Sequence, residues 1–187
     1  MKTNSEIYKF CNTHNACSDG RNWAMTQASM ADVFDNCERG DWLMWALHKQ
    51  NALDKHTSVK LACEFALRVL PKYEAKYSNK APRKAIEAAL AWLKNQTQEN
   101  ASAAAAAPAA YAVYAATSAS GAADAAYAAY AAATSAAASA SGAAASAATH
   151  AATYAATSAS GAAAYAAAER KSQCEIIRNL VKNPWRK

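Results

Sequence analysis

The chain has 187 residues, with 20 Lys and Arg against 14 Asp and Glu, a net charge of +6, and 53% apolar residues. That length fits one domain, or one domain with an appendage, and five tryptophans and nine tyrosines suffice for a core. The positive sign excludes a mimic of DNA, which would need an acidic face.

In chain order, the polar start Met1-Lys2-Thr3-Asn4-Ser5-Glu6 lacks the charged, then apolar, pattern of a secretory signal. The expectation is therefore a cytoplasmic protein whose cysteines (Cys11, Cys17, Cys37, Cys63 and Cys174) stay reduced. Ile7, Phe10, Cys11 and His14 recur at helical spacing, and Asp19-Gly20 reads as the turn that ends this first segment. Cys11-x2-His14-x2-Cys17, with Cys37 beyond, contains zinc-ligand residue types, but the spacing matches no common finger, and buried apolar thiols are the preferred reading. No cofactor or metal is expected.

Ser29-Met30-Ala31-Asp32 is a capping-box pattern that opens a helix through Val33, Phe34 and Cys37. Asp41 is placed to cap a helix carrying Trp42, Leu43, Trp45, Ala46 and Leu47. Thr57 is placed to cap the next, whose stripe is Leu61, Ala62, Phe65, Ala66, Val69 and Leu70, with Pro71 as its stop. Pro82 suits the first turn of a further helix, with Ile86, Ala89, Leu90 and Leu93 facing inward and Trp92 at the margin. Arg83 can pair with Glu87 one turn on, or reach across helices to Asp41.

Residues 101–168 hold 41 alanines in 68 positions and a single charge, Asp124. Alanine is the strongest helix former and lets helices approach closely. Ser-Ala-Ser-Gly-Ala-Ala recurs at 118–123, 139–144 and 158–163. One unbroken helix would run roughly 100 Å, whereas breaks near Gly121, Gly142 and Gly161 give rods of about 27 Å that suit a bundle. The tract offers no nucleophile, phosphate loop or ligand cluster, so it reads as scaffold or contact surface. Its irregular threonines exclude a regular ice-binding face, and its lack of large aliphatics argues against a membrane span. Its polar and ring-bearing residues Asp124, Tyr127, Tyr130, His150 and Tyr154 are the candidate partner contacts. A proton relay of His150, Tyr154 and Asp124 has no nucleophile or pocket to serve.

The chain re-enters ordinary sequence at Glu169, and Ile176, Ile177, Leu180 and Val181 mark a last amphipathic helix, followed by Pro184 and a Trp185 either exposed or folded back. Residues 169–187 carry 6 basic against 2 acidic side chains, a tail that could touch nucleic acid or anionic lipid. No period-two alternation occurs, so the expected fold is a single all-α domain, a multi-helix bundle with closely packed alanine-rich helices.

Several segments carry a resemblance: Cys17-x-x-Gly20-x-x-Trp23, Gly40-Asp41-Trp42-Leu43-Met44-Trp45, Pro82-Arg83-Lys84-Ala85-Ile86-Glu87-Ala88 closing on Trp92, the alanine and tyrosine tract, and Glu169-Arg170-Lys171-x-Gln173. In this order they resemble the helical immunity proteins of bacterial polymorphic-toxin loci, with relatives in phage and other mobile elements. The resemblance implies a non-catalytic inhibitor that binds and blocks another protein, a toxin or defence factor. It also makes Asp41, Trp42, Trp45, Arg83 and Glu87 structural signatures. A flat alanine face could also pair with a second copy of the chain. The alternative is nucleic-acid or membrane-surface association through the basic C-terminus.

Overall fold

The computed structural model describes residues 5–76, 78, 80–97 and 163–186. The fold is all-α. Among these residues there are seven helices and no strand: α1 (Ser5–Thr13), α2 (Ser18–Ala24), α3 (Met30–Asn36), α4 (Gly40–Lys49), α5 (Lys55–Lys76), α6 (Ala81–Lys94) and α7 (Ala163–Leu180). The alanine-rich tract from 101 to 162 lies outside the described residues, and with it Asp124, Tyr127, Tyr130, His150 and Tyr154.

Helices α1 and α4 close in the same way. In each, an asparagine takes the left-handed conformation, Asn15 at φ 54° and Asn51 at φ 54°. The following amides, Ala16 N–H and Ala52 N–H, donate back to Cys11 O (2.8 Å) and Leu47 O (3.0 Å), while Asn15 and Asn51 donate to Asn12 O and His48 O. This is the Schellman arrangement, in which two otherwise orphaned carbonyls at each helix end are satisfied. Asparagine serves because its short polar side chain tolerates the left-handed region better than most. Residues Asp19-Gly20 are consequently not a turn: they lie inside α2, whose N-cap is Cys17, with its sulfur accepting from Gly20 N–H at 3.4 Å.

The Ser29 cap of α3 is as expected, with Oγ accepting from Asp32 N–H at 3.1 Å and donating to Asp32 Oδ2 at 2.6 Å. Three other expectations fail for identifiable reasons. Helix α4 begins at Gly40 with Arg39 as an N-cap whose side chain makes no capping bond, and Asp41 stands inside the first turn, engaged by the Arg39 guanidinium. Thr57 sits within α5, where Asp54 performs the cap by accepting from Thr57 N–H at 2.7 Å. Pro71 does not stop α5, which continues to Lys76. Pro71 is exposed, so its ring meets solvent and the helix bears the lost backbone bond at residue 67.

The main core gathers Leu43, Met44 and Leu47 of α4, Leu61, Phe65 and Ala66 of α5, Ile86 and Ala89 of α6, and Ile177 of α7. Burying each large aliphatic contributes about 1.5–3 kcal/mol. Trp92 belongs to this core at 2% exposure, while Leu90 and Leu93 are half-buried, so the inward face of α6 is rotated from the expected one. Helix α7 packs on α4 and α5, and α5 pairs with α6. A smaller core of Ile7, Cys11, Ala24, Met30 and Val33 lies under α1 to α3, and Trp23 and Trp185 pack against both.

The C-terminal segment is fastened to α3. Arg178 Nε donates to Phe34 O at 3.1 Å and its Nη2 to Cys37 O. Asn183 Nδ2 donates to Ala31 O and to Asp35 Oδ1, both at 3.1 Å. Trp185 is folded back, its ring centroid 6.0 Å from that of Phe10 and 6.2 Å from that of Phe34.

Candidate functional site

Between the end of α1, α2, α3 and the first turns of α4 lies a partly open cavity of about 480 Å³. Its aromatic wall comprises Phe10, Trp23, Trp42 and Trp45, and its polar edge comprises Asn15, Cys17, Arg39 and Asp41. Local folding explains why these side chains converge. The Schellman turn at Asn15 reverses the chain so that α2 presents Trp23 beside α4. Gly20 faces the indole of Trp42: a Cβ there would lie 3.6 Å from Trp42 and 3.1 Å from Cys17 Sγ. The tight neighbour of the glycine in Cys17-x-x-Gly20-x-x-Trp23 is thus the capping sulfur, while Trp42 lies at ordinary contact distance.

The rings are held at fixed angles. Trp23 and Trp42 have centroids 6.0 Å apart at 45°, and Phe10 meets Trp45 edge-on at 5.9 Å and 84°. Arg39 Nε and Nη2 donate to Asp41 Oδ1 and Oδ2 at 2.9 and 2.6 Å, a fork-to-fork pair of the strong bidentate type. The same guanidinium lies 4.5 Å over the Trp42 ring, a cation–π contact. The Asp41 carboxylate raises the Arg39 pKa further above its ordinary value. With side-chain exposures of 37% and 18%, the pair forms a charged rim rather than a buried bridge.

Of the residues singled out in the sequence, Asp41, Trp42 and Trp45 come together at this cleft, and Arg83 does not join them. Arg83 grips Glu74 across the α5–α6 turn, with Nε donating at 2.8 Å and Nη2 at 2.5 Å, and Lys80 adds a third contact at 3.2 Å. Glu87 is exposed on α6 and only adds to the field at Arg83. Neither anticipated partner of Arg83 is its main one. Phe10 and Arg39 were missed as site residues: Phe10 looked like one apolar position of a helix, and nothing local shows that Arg39 would fold over the indole three residues on.

No group of three or more His, Cys, Asp and Glu capable of holding a metal occurs among the described residues. No helix among them is long and apolar enough to cross a membrane. Comparison with family models, with curated proteins and with solved structures finds no match to this chain.

Proposed function

We propose that the protein is a non-catalytic binding protein that inhibits another protein, a toxin or defence component, by accepting an apolar anchor of that partner into the tryptophan-lined cleft. The observation that carries this reading is the cavity of about 480 Å³ walled by three tryptophans and a phenylalanine and rimmed by the Arg39–Asp41 pair. Trp and Arg are the side chains most enriched where protein–protein binding energy concentrates. The surrounding hydrogen bonds and ring contacts hold the cleft open before any partner arrives, which lowers the ordering cost of binding. The resemblance to immunity proteins supports the same reading.

The alternative, nucleic-acid or membrane-surface association through the basic C-terminus, has less support. Arg186 is paired with Asp35 at 2.6 Å, Lys171 with Glu38 at 3.1 Å, and Arg178 is engaged by backbone carbonyls.

A photo-crosslinking amino acid at Cys17, exposed on the polar edge of the cleft, tests the proposal in cells of the source organism. The expected result is a discrete protein adduct that is absent when the probe sits at Lys60, exposed on α5. The adduct should also disappear in Ala16→Trp, which fills the cleft from its wall without removing a core side chain. An adduct of equal yield in a folded Ala16→Trp protein refutes the cleft as the binding surface. Recovery of a small apolar molecule instead of a protein refutes the inhibitor reading.

A further inference from the structure

The five cysteines are not equivalent. Cys63 lies deep in the main core, where burial pushes its thiol up to about 12. Cys11 is buried under α1 and also raised by desolvation. Cys17 is exposed and caps α2. Cys37 and Cys174 are 1% and 0% exposed, belong to one core cluster, and lie near enough for each thiol to perturb the other's ionisation. They come from opposite ends of the chain, and the contact is clamped on both sides. One turn after Cys174, Arg178 donates to Cys37 O and Phe34 O. One residue before it, Gln173 lies against Gly40.

We propose that Cys37 and Cys174 form an oxidation site, converted by hydrogen peroxide to an intramolecular disulfide that ties α7 to the α3–α4 corner.

The environment assigns the two sulfurs different roles. The Cys174 S–H can donate to Cys37 Sγ, and with the Arg39 amide (3.4 Å) and the Arg178 charge it holds the Cys37 thiol below its ordinary pKa. Cys174 moves in the opposite direction, because ionising it would place a second negative charge beside the first in a buried site. Cys37 stands in the wall of the cleft, which gives a small oxidant its route, whereas Cys174 does not line it and is 0% exposed; Cys37 is therefore the attacking sulfur and Cys174 the resolving thiol.

The steps balance. Cys37 thiolate attacks one peroxide oxygen, an S–O bond forms, the O–O bond breaks, and hydroxide leaves to take up the proton Cys37 had lost. Cys174 sulfur then attacks the sulfenic sulfur, an S–S bond forms, and the hydroxyl leaves with the Cys174 proton as a second water. Two thiols are oxidised and one peroxide is reduced to two waters. The bond closes a loop of roughly 140 residues, among the lengths for which cross-linking restricts the unfolded chain most. This inference is independent of the binding reading of the cleft.

The test is treatment of the full chain with hydrogen peroxide, followed by unfolding, alkylation with iodoacetamide and peptide mapping. The expected product has lost two hydrogen atoms, contains a Cys37–Cys174 linked peptide, reverts with dithiothreitol, and melts roughly 5–15 °C higher than the reduced protein. In Cys174→Ala, peroxide should produce neither the link nor the rise in Tm. Full alkylation of both cysteines after peroxide treatment overturns the proposal. So does a link between Cys11 and Cys17 in place of Cys37–Cys174. Because the mapping is done on the unaltered protein, it decides the question even if Cys174→Ala folds poorly.

Discussion

Gly40→Ala probes a close approach between α4 and α7. An ideal Cβ at residue 40 would stand 2.7 Å from Gln173 Cβ and 2.7 Å from Gln173 Oε1, with Arg170 O at 3.5 Å. Carbon atoms at rest sit about 3.5 Å or more apart, so α4 and α7 must separate by about 0.8 Å to admit the methyl. The Oε1 atom can swing away, but Gln173 Cβ is tied to the α7 backbone and moves only with the helix. A gap of that size forfeits a quarter to a half of the dispersion energy of the atom pairs it opens. Overpacking of this kind costs about 1–3 kcal/mol, and the conformational advantage of alanine over glycine returns about 0.5–1 kcal/mol at most. The net loss is about 1–2 kcal/mol, a fall in Tm of roughly 2–8 °C for a chain this size. Gly20→Ala is the matched control: its Cβ meets only an exposed thiol at 3.1 Å and an indole at 3.6 Å, so Tm should hold within a degree or two. Thermal unfolding by circular dichroism measures both. On a Gln173→Gly background the Gly40→Ala penalty should shrink, since the opposing Cβ is gone. A Gly40→Ala protein that melts at or above the wild type refutes the claim that α4 and α7 meet through this glycine.

Three further outcomes are expected. Arg83 above all, then Lys80, hold the Glu74 carboxyl at about 2, below its ordinary 4.5. Its contribution is therefore complete above the unfolded pKa and lost as pH falls from 4.5 toward 2, and Glu74→Gln should flatten the curve of Tm against pH in that window alone. Pro71→Ala restores an N–H inside α5 at an exposed position and should stabilise by about 1–2 kcal/mol after allowing for the freer unfolded chain, read as a higher urea midpoint. Deleting residues 183–187 removes the Trp185 ring contacts and the Arg186–Asp35 pair and should lower Tm by several degrees; an unchanged melt would mean that this segment is not docked.

The all-α class was legible because helical spacing and the punctuation at Ser29 and Pro82 are local signals, and the structure uses both as read. The misreadings share a cause: a local signal was outweighed by a neighbour. Asp19-Gly20 is a strong turn dipeptide, but Asn15 has already turned the chain, and Cys17 supplies the cap that lets α2 run through it. Pro71 is a helix breaker whose effect depends on whether its ring faces solvent, which the spacing of apolar residues does not reveal. Trp92 reads as marginal in the sequence because the stripe through Leu90 and Leu93 is equally regular; packing against α5 selects the face with the largest ring. The cleft was half legible. Asp41, Trp42 and Trp45 stand together in sequence, but Phe10 and Trp23 reach them only through the tertiary fold.

The same reasoning bears on charge. Counted along the chain, the last nineteen residues carry a surplus of four positive charges, the composition of a nucleic-acid or lipid contact. Folding sets α3 opposite them, and the acids of that region, Asp35 and Glu38, receive Arg186 and Lys171. Arg178 turns inward instead, satisfying the carbonyls of Phe34 and Cys37 at the end of α3. A guanidinium suits this position because its planar fork can donate to two carbonyls at once while its charge complements the negative end of the helix. Exposed pairs such as Lys171–Glu38 contribute little stability, yet Asp35 and Glu38 offset two of the four surplus charges that a polyanion would sense. Part of the charge that is basic in the linear count is thus structural in the fold.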